Sequence, residues 1–508
     1  MNRPKTKPTP QVWGERMSES PDVAAVQYCA GRDVAPRPMA DAVLVPYDLW
    51  QNRSHVAMLA RQGIIAHEEA ARIFQALDDF EKRWTAGKLA LDPQKEDVHI
   101  NIEHFVAATV GAQVAGKMHT ARSRNDQSAT VVRMYIREQL LSFGEQILAA
   151  VEAILAQARR HVRTLVAGLT HYQPASITTI GHWFASYAEA LLRDAARVVK
   201  SFDTINISPL GAAAAFGTSW PIDRTFTADL LGFDAVQENS LDCITNRWEM
   251  EAEAATCVAF GMTHLSIVAQ DLILLSQPHF GIVRLADRHT TGSSIMPQKR
   301  NPDFAEVTRA KAVLVQQLLA TLLGIARGLV SGYNRDTQWT KYVIMDIFEE
   351  ASPAPAIFRS VFAALSVDKE RALATASSHF VDAVDFADSL ARDVGLPFRT
   401  AYKIVSRAVR QCEILGHLET ETVKRLAAEE SSESQNVAFH LSPREIVERK
   451  KHLGAPAPEA VLTNIEKMQE KRKLLLKELG DRRRKLNRAR QQLAKMIERV
   501  IRNASPRS

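Results

Sequence analysis

Apolar positions along this chain recur at helical spacing over long stretches. Leu140, Leu141, Ile147, Leu148, Val151, Ile154 and Leu155 follow a period near 3.6 residues. So do Val313, Leu314, Leu318, Leu319, Leu322 and Leu323, and much of 250–276. These segments are rich in Ala and Leu and weakly interrupted, while alternating β-branched runs are scarce. The pattern predicts an all-α protein with a bundle of long helices at its centre. Several of the helices carry apolar residues on more than one face, so they are buried on more than one side. A large bundle supplies that burial and so does subunit association; the pattern favours an oligomer. No internal repeat of fixed period is present.

The two ends of the chain read differently. Residues 1–40 hold few periodic segments and several prolines, which predicts an extended arm. Near the other end Leu479, Leu486, Leu493 and Val500 repeat every seven residues, with Leu475, Ala489 and Met496 on the companion row and Arg482 interrupting it. A heptad helix with a basic outer face can pair with another helix, lie on an anionic surface or stay solvated. The predicted division is an N-terminal domain with its arm over 1–123, a central helical bundle over 124–375, a C-terminal helical domain over 376–470 and a basic tail helix over 471–508.

Charge sharpens the picture of the tail. Residues 471–508 contain 14 Lys/Arg and 3 Asp/Glu, a net of +11. Taken from the chain's formal +6, that leaves −5 for the other 470 residues. The basic character therefore belongs to the tail, and an argument for nucleic-acid binding rests on the tail alone. Cys29, Cys243, Cys257 and Cys412 lie far apart, with no CxxC pair or Cys/His cluster, so neither a disulfide framework nor a zinc site is supported. No cofactor is called for. The N-terminus has no apolar h-region and no long uncharged apolar run reads as a membrane span, so a cytoplasmic protein is the expectation.

Four segments carry candidate chemistry. Thr291 to Pro302, TGSSIMPQKRNP, packs hydroxyls, a lysine, an amide and two prolines just ahead of a helical pattern. Such a loop can offer hydroxyls, N–H groups and a cation to an anionic ligand, or serve as an ordinary Ser/Gly/Pro connector. His119 to Gln127, HTARSRNDQ, can clamp carboxylates through its arginines, or be a solvated helix start capped by Ser123 or Asn125. Gly168 to Gln173, GLTHYQ, suits a ligand-facing turn, although a single histidine is more often structural. Tyr333 to Lys341, YNRDTQWTK, can bring Tyr333, Gln338 and Lys341 to an anion or sit on an exposed loop.

Together with SPLGAAAAFGTSWPIDR, and with the segments Glu96 to His99 with Glu103 and Asn239 to Asp242, these strings occur in the order and spacing of one family. From about Val12 to about Met468 the chain resembles the argininosuccinate lyases of the fumarase/aspartase superfamily. The resemblance implies anti elimination across a C–N bond of an N-substituted aspartate, releasing fumarate and an amine. It implies that Ser293 is the base, with the loop's N–H groups and Lys299 stabilising its alkoxide, and that His171 oriented by Glu306 handles the departing nitrogen. Ser123, Arg124, Asn125, Thr170, Ser294, Lys299 and Asn301 match the family's carboxylate-gripping positions; Tyr333, Gln338 and Lys341 match further binding positions. It also implies a homotetramer in which three subunits build each site.

Departures from the family pattern fall on the amine side. Cys29-Ala30-Gly31 stands where the family has Asn-Ala-Ser, and Ala175-Ser176-Ile177 where it has Ala-Gln-Pro. Arg247-Trp248 replaces Arg-Asp, and Gln338-Trp339-Thr340-Lys341 replaces Gln-Glu-Asp-Lys. The fumarate-forming set is intact. The expectation is therefore the same elimination with a different amine, on the lines of ethylenediamine-disuccinate or a similar aminopolycarboxylate. The alternatives are argininosuccinate itself and, further off, a non-catalytic paralogue like the lens crystallins of this family.

Overall fold

The computed structural model describes residues 22–24, 28, 39–431 and 442–504. Most of the expected arm, including Cys29-Ala30-Gly31, lies outside the described residues. Helices dominate the rest. Three of them, α1 (Val45–Arg61), α2 (His67–Thr85) and α3 (Val98–Val110), form the N-terminal unit. The 37-residue α4 (Arg124–Arg160) follows. A hairpin of β1 (Leu165–Thr170) and β2 (Gln173–Thr179) then turns the chain into α5 (Ile180–Ile205). The bundle continues through α6 (Arg247–Ser276) and α7 (Asp303–Ile325), with α8 (Thr340–Ala351) and α9 (Pro353–Ala364) packed alongside. A smaller unit holds α10 (Ala383–Asp393), α11 (Phe398–Gln411) and α12 (Thr420–Ala428) around its own apolar cluster. The last element, α13 (Pro458–Ala504), is 47 residues long.

Local chemistry explains the main boundaries. Ser123 caps α4: its Oγ accepts from Asn125 N–H, while Asp126 reaches back to accept from Ser123 N–H at 3.0 Å. Thr179 caps α5 by accepting from His182 N–H at 3.0 Å. The two helices meet closely because residue 181 is glycine; a Cβ there would lie 2.7 Å from the Ala158 carbonyl oxygen. Gly144 plays the same part at mid-length, where Val198 of α5 and Leu479 of α13 press against it. By length and composition α4 and α6 would pass as membrane spans, which the sequence reading did not anticipate; in α6 only half of the apolar window is buried within the subunit. Val313, Leu314 and Leu323 on α7 and Ile267 on α6 remain exposed. Apolar faces of this kind on bundle helices fit the expected oligomer.

The basic segment is not a separate object. It forms the last two thirds of α13, and Leu475, Leu479, Leu486, Ala489 and Leu493 are buried in the main core. The heptad stripe thus pairs with the chain's own bundle. Its cations meet the acidic body: Arg482 grips Asp203 through two bonds of 2.8 and 2.7 Å, and Arg483 grips Glu145 through 2.8 and 2.9 Å. Arg472, Lys485 and Arg490 pair with Glu152, Asp234 and Glu138. Exposed pairs contribute only ~0–1 kcal/mol each, so the leucines carry the attachment. Leu479→Ala should lower the unfolding free energy by about 2–5 kcal/mol in urea titration. A loss under about 0.5 kcal/mol would mark α13 as a solvated appendage.

Three histidines are buried and held neutral. Burial pushes His55 down from 6.5 to about 3, and His161 and His289 down to about 4. An unfolded chain takes up protons near pH 6.5 where the folded one does not, so stability is lost as pH falls from 6.5 toward 4. The thermal midpoint should decline through that window. His55→Gln, which retains a donor for the Thr120 carbonyl that His55 Nε2 meets at 2.9 Å, should decline less steeply.

Candidate functional site

The length of the bundle sorts the candidate residues into separate groups. At about 1.5 Å per residue, the 37 residues of α4 span about 55 Å. Ser123, Arg124 and Asn125 lie at its start. Thr170 and His171 lie on the hairpin beyond its end, and the eleven residues from 161 to 171 can bring them back by no more than about 36 Å. At least about 20 Å of separation therefore remains, by the same arithmetic.

The first group sits where α4 and α6 begin, since Arg247 Nη2 donates to Ser128 Oγ at 3.2 Å. Arg124 pairs with Glu96 and Asp97 at 3.2 and 3.3 Å. Lys341 is buried and pairs with Asp41 at 2.7 Å, while the other Asp41 oxygen accepts from Val98 N–H at 3.1 Å. Asp41 and Asp97 thus draw the ends of α4, α8 and α3 together. Lys341, expected as a substrate contact, has one donor on Asp41 within the subunit. Tyr333 and Gln338 lie on the neighbouring segment, tied to the start of α6 by Gly332 N–H on Thr245 Oγ1 at 2.8 Å. Their side chains have no hydrogen-bond partner among the described residues, nor has that of Asn125.

The second group is the hairpin turn Thr170–His171–Tyr172–Gln173. His171 and Tyr172 have φ of 53° and 61°, the geometry of a type I′ turn, which favours Asn and Gly. Each left-handed residue of this kind costs on the order of 1 kcal/mol, so the turn is held by its surroundings. Leu169 pairs with Pro174 and Gly168 with Ser176, which leaves Ala175 as a bulge that redirects the turn. Thr170 and His171 are exposed and face a cavity of about 780 Å³ lined also by Trp183, Gln270 and Asp271.

The third group is the loop between α6 and α7. Thr291 and Asn301 close its stem with a pair of backbone bonds of 3.0 and 2.8 Å, and Asn301 Nδ2 donates to the Gly292 carbonyl. Arg300 anchors the stem to Asp287 and the Leu285 carbonyl. Within the loop, Ser293 Oγ accepts from Ile295 N–H at 3.3 Å and Met296 N–H at 3.1 Å. Two N–H dipoles aimed at one hydroxyl oxygen favour its charged form. Ser294 and Lys299 are exposed at the tip, with no side-chain partner among the described residues. Lys299, Asn301 and Glu306 line a second cavity, of about 1020 Å³. His171 and Glu306, expected as a pair, share no hydrogen bond or ion pair within the subunit.

Asp126 escaped the sequence reading as a site residue. It is buried, and burial raises its carboxyl to about 6 despite the N–H groups of Ser123, Gly211 and Ala213. The Gly211 and Ala213 bonds, both 2.9 Å, fasten the 209–217 loop beside Ser123 and Arg124. The signal was available: Ser123-x-x-Asp126 is a capping-box spacing.

A lyase family model matches residues 49–317, and a model of the argininosuccinate lyase C-terminal region matches 380–448. Argininosuccinate lyase of Thermus thermophilus is 38% identical over 90% of this chain and 97% of its own. The chain belongs to the argininosuccinate lyase family of the fumarase/aspartase superfamily. It is a fumarate-releasing carbon–nitrogen lyase. A second argininosuccinate lyase, of Desulforamulus reducens, is 34% identical over 93% of this chain and 100% of its own. Among solved structures, EDDS lyase in complex with formate superposes with a TM-score of 0.86 at 28% identity, covering 97% of this chain and 98% of that one. For an argininosuccinate lyase-family enzyme the N–H pair on Ser293 is open to a direct test. Met296→Pro removes one donor without touching the hydroxyl and should lower kcat about 10²-fold. An unchanged kcat, measured by fumarate absorbance, would exclude that donor from the chemistry.

Proposed function

We propose that this enzyme eliminates an amine other than arginine from an N-substituted aspartate, with an aminopolycarboxylate such as ethylenediamine-disuccinate as the substrate class. The observation that carries this reading is the reach of the EDDS lyase likeness. It covers 97% of this chain, too much to omit the 47-residue α13. The amine-side departures point the same way. Trp339 stands 64% exposed, edge-on to Tyr342 at 5.4 Å, beside Gln338. Trp248 packs half-buried next to Arg247 on the first turn of α6. Carboxylates at these two places would attract a guanidinium; indoles do not replace that attraction with a paired charge.

In this reading Ser293 takes the proton from the carbon adjacent to a substrate carboxylate. The alkoxide is supported by the Ile295 and Met296 N–H groups and by Lys299. Arg124, Asn125, Ser123, Thr170, Ser294 and Asn301 hold the succinyl carboxylates, so charge spreads into one of them as the C–H bond breaks. The C–N bond then opens, and the nitrogen leaves with a proton supplied through His171, which Glu306 orients. Tyr333, Gln338 and Lys341 are further substrate-binding positions. Since the first group lies apart from the other two in one subunit and His171 does not meet Glu306 there, a homotetramer completes each site from three chains. The exposed apolar faces of α6 and α7 support that assembly.

Argininosuccinate is the second reading, favoured by the higher identity, 34–38%, to enzymes of that name. Absorbance of fumarate, followed with each substrate in turn, separates the two. The proposal expects ethylenediamine-disuccinate to be turned over with the higher kcat/KM, and Ser293→Ala to abolish the signal with the fold intact. Faster turnover of argininosuccinate would overturn it.

A further inference from the structure

The hairpin that carries Thr170 and His171 is fastened from outside the bundle. Lys450 follows the short helix Pro443–Arg449, and its side chain is three-quarters buried. Its ammonium has three acceptors: Ser176 Oγ at 3.0 Å, the Ile177 carbonyl at 3.4 Å and the Asp385 carboxylate at 3.3 Å. An ammonium has three N–H donors, so all are used and the group has a defined position. Asp385 belongs to α10 of the C-terminal unit, while Ser176 and Ile177 belong to β2. A second tie runs beside it. His182 meets Thr178 Oγ1 through Nδ1 at 2.9 Å and the Gly454 carbonyl through Nε2 at 3.0 Å.

The place of attachment matters more than the number of bonds. Ala175, the bulge residue, immediately precedes Ser176. A bulge sets the direction in which the strand beyond it points. Beyond it lies a turn with two strained non-glycine residues, His171 and Tyr172, and no hydrogen bond to the His171 ring among the described residues. Nothing within the turn orients that ring, so its aim is inherited from the base of the bulge. Lys450 holds that base. Ser176 is also one of the positions where this chain departs from its family, and the serine is short enough to leave an ammonium room beside β2.

We propose that Lys450 is a positioning residue: it clamps the bulge of the β1–β2 hairpin to Asp385 of the C-terminal unit and thereby sets the aim of the Thr170–His171 turn. This rests on the reading of His171 as the group that handles the departing nitrogen. A displaced proton donor loses rate without losing carboxylate binding, and a shift on the order of 1 Å can cost about a hundredfold.

The test compares Lys450→Met, Lys450→Arg and His171→Asn in the full-length enzyme, with whichever of argininosuccinate or ethylenediamine-disuccinate it turns over. Lys450→Met should lower kcat about a hundredfold with KM little changed, shift a limb of the pH–kcat profile, and leave the thermal midpoint near the parent value. Amide hydrogen exchange should accelerate in peptides covering 165–179 and not in α4 or α6. Lys450→Arg should restore the limb. An unaltered pH profile and unaltered exchange over 165–179 in Lys450→Met would overturn the clamp, provided His171→Asn is inactive. An active His171→Asn would overturn instead the catalytic reading on which the proposal rests. If Lys450→Met does not fold, Ser176→Ala removes one acceptor from the opposite side. Faster exchange confined to 165–179 supports the clamp, and unchanged exchange overturns it.

Discussion

A side chain on the first turn of α4 and one on the hairpin beyond its last turn are kept apart by the helix between them. That helix is rigid because it is buried along its length, with Arg133, Arg137, Phe143, Ile147 and Ile154 inaccessible to solvent. The arrangement of the rest follows from this spacer. Ser123, Arg124 and Asn125, with Tyr333, Gln338 and Lys341, lie where α4, α6 and α8 begin; the histidine turn and the serine loop lie at the opposite ends of α4 and α6. A subunit of this shape has no place at which all of its candidate residues meet. In the proposed tetramer the exposed apolar faces of α6 and α7 would bring copies together, and the divided site would be the reason.

The state of the individual side chains fits that division. Asn125, Thr170, His171, Ser294, Lys299, Glu306, Tyr333 and Gln338 have no side-chain hydrogen-bond partner among the described residues, and nearly all are accessible. Polar groups left open in this way are free to take a ligand or to meet another subunit. The groups that are engaged do structural work as well. Ser123 caps α4, Asn301 closes the stem of the serine loop, and Lys341 pairs with Asp41.

The helices were legible in the chain because a buried face leaves a 3.6-residue period, and α4, α6 and α7 fall where that period runs. The β1–β2 hairpin was not. Its turn is His171-Tyr172, with neither Asn nor Gly to announce a type I′ geometry, so its sequence gives no turn signal. Ser293, His171 and Arg124 stood out as residue types at family spacing, and the roles proposed for them rest on that spacing; the Asp41–Lys341 and Lys450–Ser176 pairs were not legible, because about 300 and 274 residues separate the partners. Charge gave a partial view. The basic excess of residues 471–508 was evident, but not that Asp203, Glu145, Glu138 and Asp234 on the body were waiting for it. A tail that looked available to an external partner turns out to be part of the bundle's surface.

The central claim is that one active site draws on residues from different copies of this chain. Mixing two inactive variants tests it most directly. Ser293→Ala and Arg124→Ala are purified separately, each confirmed inactive, then dissociated together and reassembled. If the serine and the arginine of one site come from different subunits, some mixed assemblies hold a site with neither defect, and fumarate formation returns. If both residues of each site come from the same chain, every site in every mixture keeps a defect, and activity stays at the level of the parents.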